Sequence, residues 1–202
     1  MKNELTVKVL HGPALEPYIR DLADLRITVF REFPYLYDGS FAYEETYLKT
    51  YLRSQNSVII LIFDGKEVVG ASTGIPMVEE TDEFKRPFNQ HGIDPASVFY
   101  CGESILRKEY RGYGVYRTFF DEREKQAQIL GLEYSAFCAV QRSENHPLRP
   151  DSFAPLDPIW EKYGYEKNPE LQTTYRWKDV NEENETDKTM VFWLKNLAKK
   201  HV

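Results

Sequence analysis

Residues 97–131 read SVFYCGESILRKEYRGYGVYRTFFDEREKQAQILG, and the rest of the chain is organised around them. The stretch opens as an apolar strand (Val98, Phe99, Tyr100), crosses a short basic turn and continues as a helix that stops at Gly131. The turn, Arg111-Gly112-Tyr113-Gly114-Val115, sits where strand hands over to helix. There the first backbone N–H groups have no intrahelical partner and carry the positive end of the helix dipole. Gly112 and Gly114 have no side chain to keep an anion off those groups, and Arg111 and Arg117 add fixed charge. The arrangement is a cradle for a diphosphate.

Three phosphate-binding readings compete for it. A P-loop requires Gly-Lys-Ser/Thr, and none follows these glycines. A dinucleotide fingerprint requires a third glycine, where this chain has Arg117, and an acidic residue on a further strand. What remains is Arg-x-x-Gly after a strand whose edge can also receive a ligand. A glycine turn that merely caps a helix is the plain alternative. Tyr110-Arg111-Gly112-Tyr113-Gly114 resembles the signature of the GNAT acyl-CoA N-acetyltransferases, Gln/Arg-x-x-Gly-x-Gly/Ala within a Tyr-Arg-Gly-x-Gly context. Tyr116 stands where that signature has its final small residue.

The chain has 202 residues, enough for one full core, and residues 1–202 are expected to form a single domain. Hydrophobic residues make up 42% and charged residues 29%, the balance of a soluble globular protein. A net charge of −6 argues against a nucleic-acid surface, the only basic run being Lys199-Lys200, and suits a cationic, amine-bearing substrate. The start, Met1 to Leu5, lacks the apolar segment of a signal peptide, and no apolar run approaches the ~20 residues of a membrane span. Cys101 and Cys138 fall in expected strands and read as buried thiols, so a cytoplasmic location is expected. The 14 tyrosines and 12 phenylalanines either wall a substrate cavity or fill the core.

From the N-terminus, Leu5–Leu10 alternates as a strand and His11-Gly12-Pro13 breaks it. Leu15, Ile19, Leu22, Leu25 and Val29 then recur at helical spacing, leaving Arg20, Asp21, Asp24 and Arg26 for the surface. Pro34 ends that helix, the aromatic segment Phe33–Ser40 follows, and a second helix runs from about Tyr43 to Leu52. Val58–Phe63 and Glu67–Ile75 form a hairpin about Asp64-Gly65, with Gly70 and Gly74 marking bulges or a close backbone approach. Residues 78–96 read as a polar insertion with one short helix, a lid or a decorative loop. After the central helix, Leu132–Val140 is a buried strand, and strand–helix–strand at this length makes the two strands parallel. An irregular segment (141–154), a short helix from Leu156 to Tyr163 closed by Gly164, and two strands at Thr173–Val180 and Lys188–Leu194 complete the chain.

The resulting order, β-α-α-β-β-(β)-α-β-α-β-β, resembles that of GNAT proteins from about Leu5 to Leu194, and Trp160-Glu161-Lys162-Tyr163-Gly164-Tyr165 is similar to their aromatic-x-x-x-Gly-Phe helix end. The resemblance implies a single-domain α/β fold with a mostly antiparallel mixed sheet, a central parallel pair and flanking helices. It also resembles an uncharacterised bacterial subgroup in the tail, at Pro155–Trp160 and Met190–Lys195. It implies acetyl-CoA as cosubstrate without a metal, and a small-molecule amine as acceptor; assembly as a homodimer is left open. Mapped by resemblance, the diphosphate falls on Arg111, Gly112, Tyr113, Gly114, Val115, Tyr116 and Arg117. Pantetheine and the acyl oxygen fall on Ser104, Ile105 and Leu106, where the family's strand splays from its parallel neighbour, and Asn145 resembles a further pantetheine contact. The loop between the first two helices, Phe33–Ser40, becomes the acceptor wall.

Acyl transfer from a thioester to an amine also needs a base and tolerates an acid. Glu103, just before the Ser104–Leu106 segment in apolar surroundings, is the expected base with a raised pKa; a structural ion pair with an arginine is its alternative role. Glu79 and Glu80 are weaker candidates. The family's tyrosine four residues before the helix-ending glycine is Trp160 here, which leaves Tyr163 as the expected acid. His146 reads as a loop residue. The rival function is a GNAT-like sensor that binds acyl-CoA or an amine without turnover.

Overall fold

A computed structural model describes residues 4–198, so the ends Met1–Asn3 and Lys199–Val202, with the basic pair Lys199-Lys200, lie outside the described residues. Eight strands among these residues form one sheet in the order β1-β2-β3-β4-β6-β8-β7, with β5 paired to β3 off that path. They are β1 (Thr6–Leu10), β2 (Val58–Asp64), β3 (Glu67–Pro76), β4 (Val98–Tyr100), β5 (Ser104–Leu106), β6 (Tyr134–Val140), β7 (Glu166–Lys178) and β8 (Glu185–Asn196). The helices are α1 (Ile19–Phe30), α2 (Phe41–Arg53), α3 (Asp82–Gln90), α4 (Val115–Ile129) and α5 (Asp157–Lys162). Every pairing is antiparallel except β4 with β6, where Val98 faces Tyr134 and Tyr100 faces Ala136. This is the mixed, mostly antiparallel sheet with one parallel pair that the sequence implies.

The sheet is covered on both faces, which is why β2 reads as an unbroken apolar run rather than an alternation. Ile59 and Leu61 point into a core shared with Leu22, Leu25, Leu48 and Phe88 from α1, α2 and α3. Val58, Ile60 and Ile62 point into the opposite core with Phe119, Phe120 and Ala127 of α4.

Four expectations are corrected. Arg26 is not a surface residue: it stands four positions after Leu22, on the same helical face, and is 8% exposed. The insertion is no decorative loop, because α3 packs into the core with Phe88 fully buried against Phe192 at 4.9 Å and Phe84 lines a small cavity beside Arg26. Gly70 does mark a bulge, since Ile62 pairs with it and Phe63 with Val68, whereas Gly74 marks neither a bulge nor a backbone approach: a Cβ there would meet the Phe99 ring at 2.3 Å. The last two strands are longer than the apolar alternation, because a register shift between Asn168 and Gln172 lets β7 pair on both sides of an irregularity at Pro169.

Candidate active site

A cleft of about 1570 Å³ runs from the head of α4 to the gap between β5 and β6. At its head Gly112 has φ +85° and Gly114 φ +79°, left-handed conformations that side chains avoid. A Cβ at either would meet no atom within 4 Å, so the space before these glycines is open. Val115 and Tyr116 open the helix, where position alone denies their N–H groups an intrahelical acceptor. Arg111 reaches back, donating from Nε to the Leu106 carbonyl at 3.1 Å and from Nη2 to Glu32 at 2.9 Å. The Glu32 pair is half-exposed on both sides and worth no more than about 1 kcal/mol, so it is readily exchanged for a phosphate. The Tyr116 ring turns onto Phe120, and its hydroxyl accepts from Trp160 Nε1 at 3.3 Å.

Further in, the sheet splits. Cys101 N–H donates to the Ala136 carbonyl at 2.8 Å, the last backbone bond that joins this segment to β6 among the described residues. Gly102 then turns to the Thr73 carbonyl at 3.2 Å, and β5 continues against β3 alone. Ser104, Ile105 and Leu106 therefore line one wall of the gap, and Phe137 to Val140 line the other. Gly102 is required here by close approach: a Cβ would lie 1.9 Å from the Tyr51 hydroxyl.

On the opposite face, Arg26 donates to Glu44 and to Glu103, both inside the core. Burial holds the Glu103 carboxyl above the ordinary carboxylate range, with Arg26 pulling the other way. Two carboxyl groups share one guanidinium, and the second oxygen of each is buried without a hydrogen-bond partner. Glu80 is 6% exposed, its Oε2 accepts from the Thr81 N–H at 3.2 Å, and burial pushes its carboxyl up to about 7. It makes no ion pair within 4 Å among the described residues. Next to these groups is a small cavity of about 90 Å³ that Arg26 shares with Tyr35, Tyr37, Tyr47, Tyr100, Tyr175 and Trp177. Arg142 pins the Phe33–Ser40 loop beside it by donating to the carbonyls of Pro34 (2.8 Å) and Tyr35 (2.7 Å), while Asp179 balances its charge at 2.8 Å.

Of the residues singled out in the sequence, Glu103, Ser104, Ile105, Leu106, Arg111, Gly112, Gly114, Val115 and Tyr116 line the one cleft. Tyr113 and Arg117 are exposed beside its head, outside the lining. Asn145 is in an exposed turn, its N–H on Ser143 Oγ at 3.2 Å, and is also outside the lining. Tyr163 stacks on Phe120 at 4.2 Å within the aromatic core and does not reach the cleft wall. Sequence reasoning missed Arg26, Glu44 and Arg123. Arg123 lies midway between Phe119 and Ala127 at four-residue spacing, so the helical period already put it on the inner face.

No family model and no curated protein matches the chain. Solved structures do. An N-acetyltransferase from Staphylococcus aureus Mu50 superposes with a TM-score of 0.62 at 10% identity, over 96% of this chain and 99% of its own. yncA of Salmonella typhimurium, solved with its cofactor acetyl-CoA, gives 0.58 at 9% over 99% and 98%. An acetyltransferase of the GNAT family from Streptococcus pneumoniae gives 0.56 at 14% over 96% and 99%. The chain has the GNAT fold.

Proposed function

We propose that the protein is an acetyl-CoA-dependent N-acetyltransferase that acylates a small amine by direct attack. The observation that carries the reading is the single cleft that joins open glycine amides at the head of α4 to two facing strand edges at β5 and β6. The residues present fit the cosubstrate: positive helix-end dipoles and Arg111 for the diphosphate, and unpaired backbone edges for the amides of the pantetheine arm. Bound there, acetyl-CoA supplies an acyl group on a sulfur leaving group.

The rest of the work falls to this chain. The tyrosine-lined cavity takes the acceptor, since its aromatic faces attract an ammonium. A carboxyl near 7 holds or releases a proton at neutral pH, so Glu80, behind the lining of the cavity, receives through water the proton the amine must lose, and Glu103 holds Arg26 in place beside it. The amine nitrogen bonds to the acyl carbon, the carbon–sulfur bond breaks, and the sulfur leaves with the electron pair. Tyr163, held in its stack, takes no part. With both thiols free, we place this single domain in the reducing cytoplasm.

Calorimetric titration with acetyl-CoA, followed by thiol release across a panel of amines, tests this. Micromolar binding with release for at least one amine supports it. Binding without release for any amine selects the sensor, and absence of binding removes both readings.

A further inference from the structure

Arg123 is 2% exposed and lines the cleft, yet it has no carboxylate within 4 Å among the described residues. Its Nη1 donates to Ser72 Oγ at 3.1 Å and Ser104 Oγ at 2.6 Å, the plane lies 4.8 Å from the Phe120 ring, and Nε is buried without a partner. Arg26 and Arg142, the comparable guanidinium groups, are balanced by carboxylates. Glu124, the next residue, favours the Arg123 charge from a distance but makes no ion pair with it. Burial keeps the Cys101 thiol and the phenols of Tyr116 and Tyr165 neutral, and Glu124 is taken by Lys195 at 2.7 Å. A desolvated cation with no carboxylate in contact is costly, so the fold holds in the cleft wall a charge that an incoming anion can pair with directly.

Distance along the helix says which anion. Arg123 stands nine positions after Gly114, roughly 13 Å down the axis from the glycine amides. In coenzyme A twelve bonds separate the diphosphate from the sulfur, the reach of four extended residues, roughly 14 Å. With the diphosphate at the head of α4, the sulfur therefore arrives beside Ser104 and Arg123, not the phosphates.

We propose that Arg123, steadied by Ser72 and Ser104, is the countercharge for the coenzyme A sulfur. This rests on the acetyl-CoA reading above. As the amine nitrogen bonds to the acyl carbon, the carbon–sulfur bond breaks and its electron pair passes to sulfur, which the guanidinium holds as thiolate. Arginine does not give up its proton, so the thiolate is stabilised rather than protonated, and it takes a proton from water on release. A fixed positive charge is worth more to the departing thiolate than to the neutral thioester, which is how it accelerates the step. It also accounts for a helix end that carries Trp160 and a stacked Tyr163 where a phenol acid is otherwise expected.

The test is a pH titration of free coenzyme A bound to the intact protein, read by the ultraviolet absorbance of the thiolate. A counter-cation at contact lowers the thiol pKa by about one to three units from its free value. Arg123→Lys should keep most of that shift and Arg123→Gln abolish it, with kcat for acetyl-CoA down roughly 100-fold in Arg123→Gln and KM little changed. A bound thiol that titrates at or above its free value in the wild type overturns the proposal, whether or not the variants fold. So does a loss confined to carboxylate-bearing acyl donors such as succinyl-CoA, which would assign Arg123 to the acyl group. A wild type that binds no coenzyme A overturns the acetyltransferase reading and this proposal together.

Discussion

Glu80 owes its proton affinity chiefly to burial: desolvation favours the neutral form and the Glu103 carboxylate adds to it, while the Thr81 amide and, from further off, Lys85 and Arg26 oppose it. Two consequences follow at this single side chain. As a base it works deprotonated, so kcat/KM should rise with pH through a limb near 7, and Glu80→Gln should remove the limb and lower the plateau roughly 100-fold. Stability moves the other way. A carboxyl whose folded value is raised contributes fully below its unfolded value near 4.5, and the contribution is lost as pH climbs through about 7. Glu80→Gln should therefore gain up to about 3 kcal/mol on the wild type between pH 5 and pH 8 in urea titrations, and a flat difference would refute the assignment. At Gly114 the φ of +79° and the open space ahead favour no side chain. Gly114→Glu adds strain of about 1–2 kcal/mol and a negative charge where the diphosphate sits, so acetyl-CoA affinity should fall at least 100-fold by calorimetry while the far-ultraviolet spectrum is kept.

Elements differ in how much of themselves they announced. The central helix was legible end to end, because glycines mark both boundaries and Phe119, Phe120 and Ala127 mark its inner stripe. The hairpin was legible as a short turn between apolar runs, but its turn lies one residue on, at Gly65-Lys66, because Asp64 still pairs with Glu67. Helix α3 was legible only as one short helix in a polar insertion, not as part of the core: a segment with Asp82, Glu83, Lys85 and Arg86 has the composition of a solvated face, and Phe84 and Phe88 tie it to β8. Truncating the buried ring tests that tie. Phe88→Ala should cost about 3–5 kcal/mol, far more than loss of a surface flap would, as read from the urea midpoint. The ion-pair trio binds α1 to α2 and to the β4–β5 junction, so Arg26→Ala, which strands Glu44 and Glu103 in the core, should cost a similar amount.

For the molecule as a whole, ligand binding and charge should both be visible. Acetyl-CoA at a hundred times its Kd adds about 2.7 kcal/mol to the folded state, a rise of roughly 5–10 °C in Tm for a chain of this size, whereas no rise would remove the cosubstrate. With a net charge of −6, kcat/KM for a cationic amine should fall as salt is raised, and that for a neutral amine should not.

By itself the sequence determined the order of elements, the parallel pair around the central helix and the glycine turn that opens the cleft. Each of these is written in neighbouring residues, through periodicity and the conformational preferences of glycine. Only the tertiary structure decided which charges are paired. Arg26 meets Glu103 across 77 positions, and Arg123 meets Ser72 across 51. Such partners are set by how helices seat on a sheet, and Coulomb energy in a desolvated interior depends on that seating rather than on any local pattern.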